Sequence, residues 1–122
     1  MRLVLLAVPL LAGCAVDMGA ISEPPQFERI DDAGAFLDRV AGEPMRFDDG
    51  GVLVARPDGT LTGSFDGVAP QGTWRFENGR FCRTVSIGAQ DFPQLCQLVE
   101  VKNGTLRLLE LDGALSAEAE LG

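Results

Sequence analysis

Histidine and tyrosine are both missing from this chain of 122 residues. Without histidine there is no Ser-His-Asp or Cys-His nucleophile, and the usual nitrogen ligand for zinc or haem is gone. Lysine occurs once, at Lys102; the other basic residues are arginines, and they are scattered. With 18 acidic against 10 basic residues, the formal net charge is −8. An acidic surface without a basic cluster argues against nucleic acid as a partner and against electrostatic docking to anionic lipid. No Gly-x-Gly-x-x-Gly opens a helix after a strand, so dinucleotide binding lacks its phosphate cradle. Asp48-Asp49-Gly50-Gly51 lacks the spaced oxygen ligands and closing glutamate of an EF-hand and reads as a turn. No metal, cofactor or catalytic set is expected.

Cysteine is scarce too, with three in the chain. Arg2 followed by the apolar run Leu3 to Leu11 makes a short export signal over residues 1–13. The run is too short to span a membrane. Leu11-Ala12-Gly13-Cys14 resembles the bacterial lipobox, in which the cysteine is lipidated and becomes the mature N-terminus. Losing Arg2 with the signal takes the net charge from −8 to −9. Ala15 stands where inner-membrane lipoproteins carry a retention aspartate, which favours the outer membrane. With Cys14 assigned to lipid, Cys82 and Cys96 remain as an even pair in an oxidising compartment. Closing a loop of that length is worth about 3 kcal/mol in the chain-entropy model.

Residues 14–30, with Pro24-Pro25, read as a lipidated tether, and residues 31–122 as one domain. Asp31 or Asp32 caps a single helix whose Ala33, Phe36, Leu37, Val40 and Ala41 form an apolar stripe; Gly42 and Pro44 stop it. From Met45 the period becomes two. Strands are expected near Met45–Phe47, Val52–Arg56 and Thr60–Phe65, and a last one over Ala114–Leu121. Asn78-Gly79 is the strongest hairpin signal. It sets Trp74 opposite Arg83 and Phe76 opposite Phe81, so Trp74, Phe76, Phe81, Val85 and Ile87 share the core face, which the helix covers. Asn103-Gly104 repeats the device, with Glu100 opposite Arg107. The fold class is α+β and β-rich: an antiparallel meander or small, partly open barrel with one N-terminal helix and one disulfide.

Four residues stand out as a candidate binding surface: Trp74, Arg83, Phe92 and Gln97. Arg83 is an arginine on the aromatic face, explained by stacking on Trp74, by a strand end or by a pocket. Phe92 lies in a Gly88–Gln94 connector, read as a loop tethered by the cystine, where it either plugs the core or is presented to a partner. From Phe36 onward the chain resembles a group of small exported bacterial proteins of unknown function. The resemblance lies in Gly72-Thr73-Trp74, Gly79-Arg80-Phe81-Cys82-Arg83 and Cys96-Gln97-Leu98-Val99-Glu100. It implies export and the cystine and adds no activity. Some members are labelled dihydrodipicolinate reductase, for which this chain lacks both the nucleotide fingerprint and a second domain.

The expectation is a non-enzymatic envelope lipoprotein, a binding or structural module held at a membrane by Cys14 and contacting an envelope protein. The alternative is a periplasmic protease inhibitor presenting Asp91-Phe92-Pro93. Metabolic labelling with a palmitate analogue should mark the wild type and leave Cys14→Ala unmarked. A wild-type protein that is secreted yet unlabelled overturns the anchor.

Overall fold

The structure, a computed structural model, describes residues 26–122. The signal segment, Cys14 and the tether as far as residue 25 lie outside the described residues. The chain runs through β1 (Glu28–Ile30), α1 (Ala33–Arg39), β2 (Met45–Phe47), β3 (Val52–Ala55) and β4 (Thr60–Ser64). It continues through β5 (Pro70–Glu77), β6 (Arg80–Ile87), β7 (Gln90–Lys102), β8 (Thr105–Leu109) and β9 (Leu115–Leu121).

Both hairpins keep the register that their turns imply. Asn78 and Gly79 take positive φ (53° and 75°), as a type I′ turn requires, and Phe76 pairs with Phe81 and Trp74 with Arg83. At the second turn only Asn103 has positive φ (55°), yet Glu100 still faces Arg107 and Val99 faces Leu108. That turn holds the register with a different backbone.

β7 pairs along both edges, with β6 and β1 on one side and β8 on the other. From β6 the sheet passes through β5, β4, β3 and β2, then β9, and returns to β8. Strands β2 to β9 therefore form a closed eight-stranded antiparallel barrel, not an open meander or a partly open one. The closing contact is β2 on β9, with Met45 opposite Leu121 and Phe47 opposite Ala119. It joins segments far apart in sequence, so no local turn encodes it. Gly72 assists the curvature, because a Cβ there would run into the Thr84 carbonyl of the adjacent strand.

Three sequence expectations change. Glu28–Ile30, assigned to the tether, pairs with Val99–Val101 and buries Ile30. Residues 90–94, read as part of a loop, are strand, with Phe92 opposite Val85 and Asp91 opposite Ser86. Pro93 fits there because the register shifts: Pro93 and Gln94 oppose Thr84 alone, a bulge in which the missing N–H breaks no ladder bond. In α1, Phe36 and Val40 are buried but Leu37 is 46% exposed, since a helix of seven residues lying across the barrel end offers only one narrow stripe.

That helix plugs one end. The Asp32 carboxylate caps it by accepting from the Ala35 N–H at 2.8 Å. Phe36 then enters the barrel, its ring 4.9, 5.0 and 5.1 Å from Trp74, Phe76 and Phe81. Such contacts are worth about 0.5–1.5 kcal/mol each beyond burial. Trp74 Nε1–H donates to the Arg56 carbonyl at 2.8 Å, tying the same end to the β3–β4 turn.

Cys82 and Cys96 are directly opposite on β6 and β7 and are bonded, their Cα atoms 4.0 Å apart. The bridge lies outside the barrel wall, behind the inward Phe81 and Gln97. Replacing both cysteines by serine is expected to lower stability by about 2–5 kcal/mol in urea unfolding. Free thiols at Cys82 and Cys96 in the secreted protein would contradict the bridge.

Candidate functional site

An antiparallel barrel places successive turns at alternate ends. The turns at 48–51, 65–69, 88–89 and 110–114 therefore surround the end opposite α1, and among the described residues no helix crosses it. Inward side chains here enclose a cavity of about 570 Å³. Phe47, Leu53 and Phe65 form one wall and Val85, Ile87 and Phe92 another, while Ala117 on β9 is too small to fill the space between. The size falls within the range of small-molecule sites, about 300–1,000 Å³.

Arg83 and Gln97 form the floor, immediately beyond the buried Phe81. Period two turns Phe81, Arg83 and Val85 to the same side of β6, so Arg83 is obliged to enter the barrel. Its Nη1–H donates to Gln97 Oε1 at 2.7 Å. Gln97 is 2% exposed, and its Nε2–H donates to Ser116 Oγ at 2.9 Å. Ser116 is the extra residue of a second bulge: Leu108 faces Ala117 while Leu109 faces Leu115. Bulges re-aim side chains, and this one delivers a hydroxyl to the amide. With both ends of that amide occupied, the oxygen is committed to Arg83.

The guanidinium carries five N–H donors. Among the described residues, no carboxylate lies within ion-pair distance of Arg83, and Gln97 is its one side-chain acceptor. Its carbon sits 5.9 Å from the centre of the Phe81 ring. Burial pulls the Arg83 pKa below its ordinary value but leaves an arginine charged at neutral pH. The site is thus an apolar chamber with an unneutralised cation at its base.

Acidic groups lie at the mouth. Asp48, Asp49 and Glu118 border the cavity. Asp49 accepts from the Gly51 N–H at 2.8 Å, and Glu118 accepts from Arg107 Nε–H at 3.0 Å on the outer face. Exposed Val68, Phe92 and Leu115 are carried by the open-end turns and the strand ends beside them, and exposed Leu95 lies farther along β7, opposite Arg83.

Of the four residues singled out from sequence, Arg83, Phe92 and Gln97 meet at this cavity. Trp74 does not; it belongs to the plug at the opposite end, beneath Phe36. Arg83 accordingly stacks on Phe81 instead of Trp74. Phe92 is part of the wall, 37% exposed, and sits on a strand. Phe47, Phe65 and Ser116 escaped sequence reading: the first two become neighbours of Arg83 only through closure, and Ser116 points inward only because of its bulge.

In comparisons with known proteins, no family model matches the chain, and neither a curated protein nor a solved structure matches it.

Gln97→Leu removes the acceptor from Arg83 and the donor to Ser116. A loss of about 1–3 kcal/mol of stability is expected, the cost of a buried polar partner left unmade. Ser116→Ala, at an exposed residue, should cost less than Gln97→Leu. Equal unfolding midpoints for wild type and Gln97→Leu would show that the amide does not organise the floor.

Proposed function

We propose that this protein is a non-enzymatic binding module of the cell envelope, anchored through lipid on Cys14, which takes a small, largely apolar molecule into the open end of its barrel. The observation that carries this reading is the asymmetry of the interior. One end is filled by four aromatic rings, while the other keeps a chamber of about 570 Å³ walled by apolar side chains. A closed barrel of eight strands is wide enough to be filled by side chains or to hold one small ligand; this chain does each at one end.

Two further features support binding over catalysis. The carboxylates near the cavity are exposed, and two of them are engaged with Gly51 and Arg107. General acid–base work needs a positioned group within reach of the reacting atom. The exposed apolar rim, by contrast, suits entry of an apolar molecule. The export signal and lipobox supply the address. β1 enters at the plugged end, so a tether to a membrane would leave the mouth clear of its attachment point.

An uncharged solvatochromic dye such as Nile red provides the test, on the full chain carrying Cys14→Ala so that its own acyl chains do not compete. Saturable one-to-one binding with a blue shift is expected. Ala117→Phe, which puts a ring into the chamber, should weaken binding at least tenfold. Trp74 (the only tryptophan, remote from the cavity) reports that the barrel remains folded. Wild-type protein that fails to bind, or a folded Ala117→Phe variant that binds as well, would overturn the reading.

A further inference from the structure

Taking the cavity as the binding site, we propose that its ligand class is an apolar monocarboxylate, bound head inward, with the carboxylate on Arg83 and the hydrocarbon body between Phe47, Phe65, Val85 and Phe92. Three observations lead here.

The first is charge. A guanidinium at the base of an apolar chamber pays a desolvation penalty that a core residue of similar shape avoids. Stacking on Phe81 and one bond to Gln97 do not neutralise it. Among the described residues no carboxylate completes the pair. A planar fork with donors to spare fits a carboxylate in two parallel hydrogen bonds.

The second is orientation. Gln97 is clamped by Ser116 on one side and presents its oxygen to Arg83 on the other, which holds the guanidinium in place before any ligand arrives. Preorganisation of this kind reduces the ordering cost of binding. The cystine ties β6 to β7 one residue before both Arg83 and Gln97, so the two strands that carry the pair cannot separate.

The third is the limit on ligand charge. Asp48 and Asp49 border the cavity, and the chain as a whole is strongly acidic. A multiply charged head would be repelled on entry, whereas a single carboxylate meets one compensating cation at the floor. Polyanionic ligands are thereby disfavoured, and an apolar body with one negative charge remains.

Isothermal titration of laurate, dodecanol and dodecylamine into the full chain carrying Cys14→Ala tests the assignment. Laurate is expected to bind at least about tenfold more tightly than dodecanol, as charge-assisted hydrogen bonds predict, and dodecylamine more weakly than either. In Arg83→Met the preference for laurate over dodecanol should collapse to about one. Gln97→Glu is the second variant, because it keeps the side-chain volume and pairs Arg83 internally; it too should erase the preference. If dodecanol binds the wild type as tightly as laurate, the carboxylate assignment is wrong and the apolar-binding reading stands. If none of the three binds, both fall. Cosedimentation with phosphatidylglycerol vesicles without laurate binding would make the mouth a membrane contact and overturn the proposal.

Discussion

The molecule depends on closure of its sheet. β7 is hydrogen-bonded along both edges, and β2 meets β9 to complete the ring. Closure pairs both edges of most strands, leaving the short outer β1 and the first half of β7 with an unpaired edge. It also turns every second side chain into a small interior whose volume must be filled or left open. The alternation of each strand is then no longer a two-sided pattern but a choice between lumen and solvent.

How the interior is filled divides the barrel. On the α1 side, Phe36 meets Trp74, Phe76 and Phe81, and Ile30, Val40, Val99, Val101 and Leu106 complete a dry core. On the other side none of the described residues crosses the mouth. Arg83, Gln97 and Ser116 lie between, a polar layer whose hydrogen bonds run across β6, β7 and β9. Gln97 is the buried member, and it favours one arrangement because any other leaves its amide unpaired in a low-dielectric setting. This layer separates the part of the interior that stabilises the fold from the part that has room for a ligand.

Local irregularity and covalent restraint converge on that layer. The bulge at Pro93–Gln94 lies in β7 on the cavity wall, and the bulge at Ser116 faces it from β9. Bulges bend a strand and raise its local twist. Between them the Cys82–Cys96 bridge clamps the outside of the wall, where it takes no space from the lumen. The outer face is knit by charge instead: Glu100 draws Arg29 and Arg107, and Arg107 also holds Glu118 and stacks on Phe27 at 3.9 Å. Apart from the half-buried Glu100 these partners are solvent-accessible and the pairs individually weak, so the wall's shape rests on the ladder, the bulges and the cystine.

Sequence alone determined what short-range chemistry controls. Asn78-Gly79 and Asn103-Gly104 set two registers, Asp31 or Asp32 and Gly42 bounded the helix, and cysteine count matched Cys82 to Cys96. Arg83 and Gln97 were visible as polar residues on a face otherwise meant for the core. Tertiary structure alone decided whether the sheet closes, because Met45 opposite Leu121 is a contact between the two ends of the domain that no turn announces. It also decided which end of the barrel Phe36 would fill, why Leu37 stays in solvent, and that Pro93 and Ser116 belong to bulged strands. A local pattern records which side of a strand is buried, since that depends on neighbours two residues away. It does not record how deep in the barrel a buried residue lies, since that depends on every strand around it; hence Trp74 and Arg83, cross-strand partners on one face, ended in a packed plug and on a cavity floor.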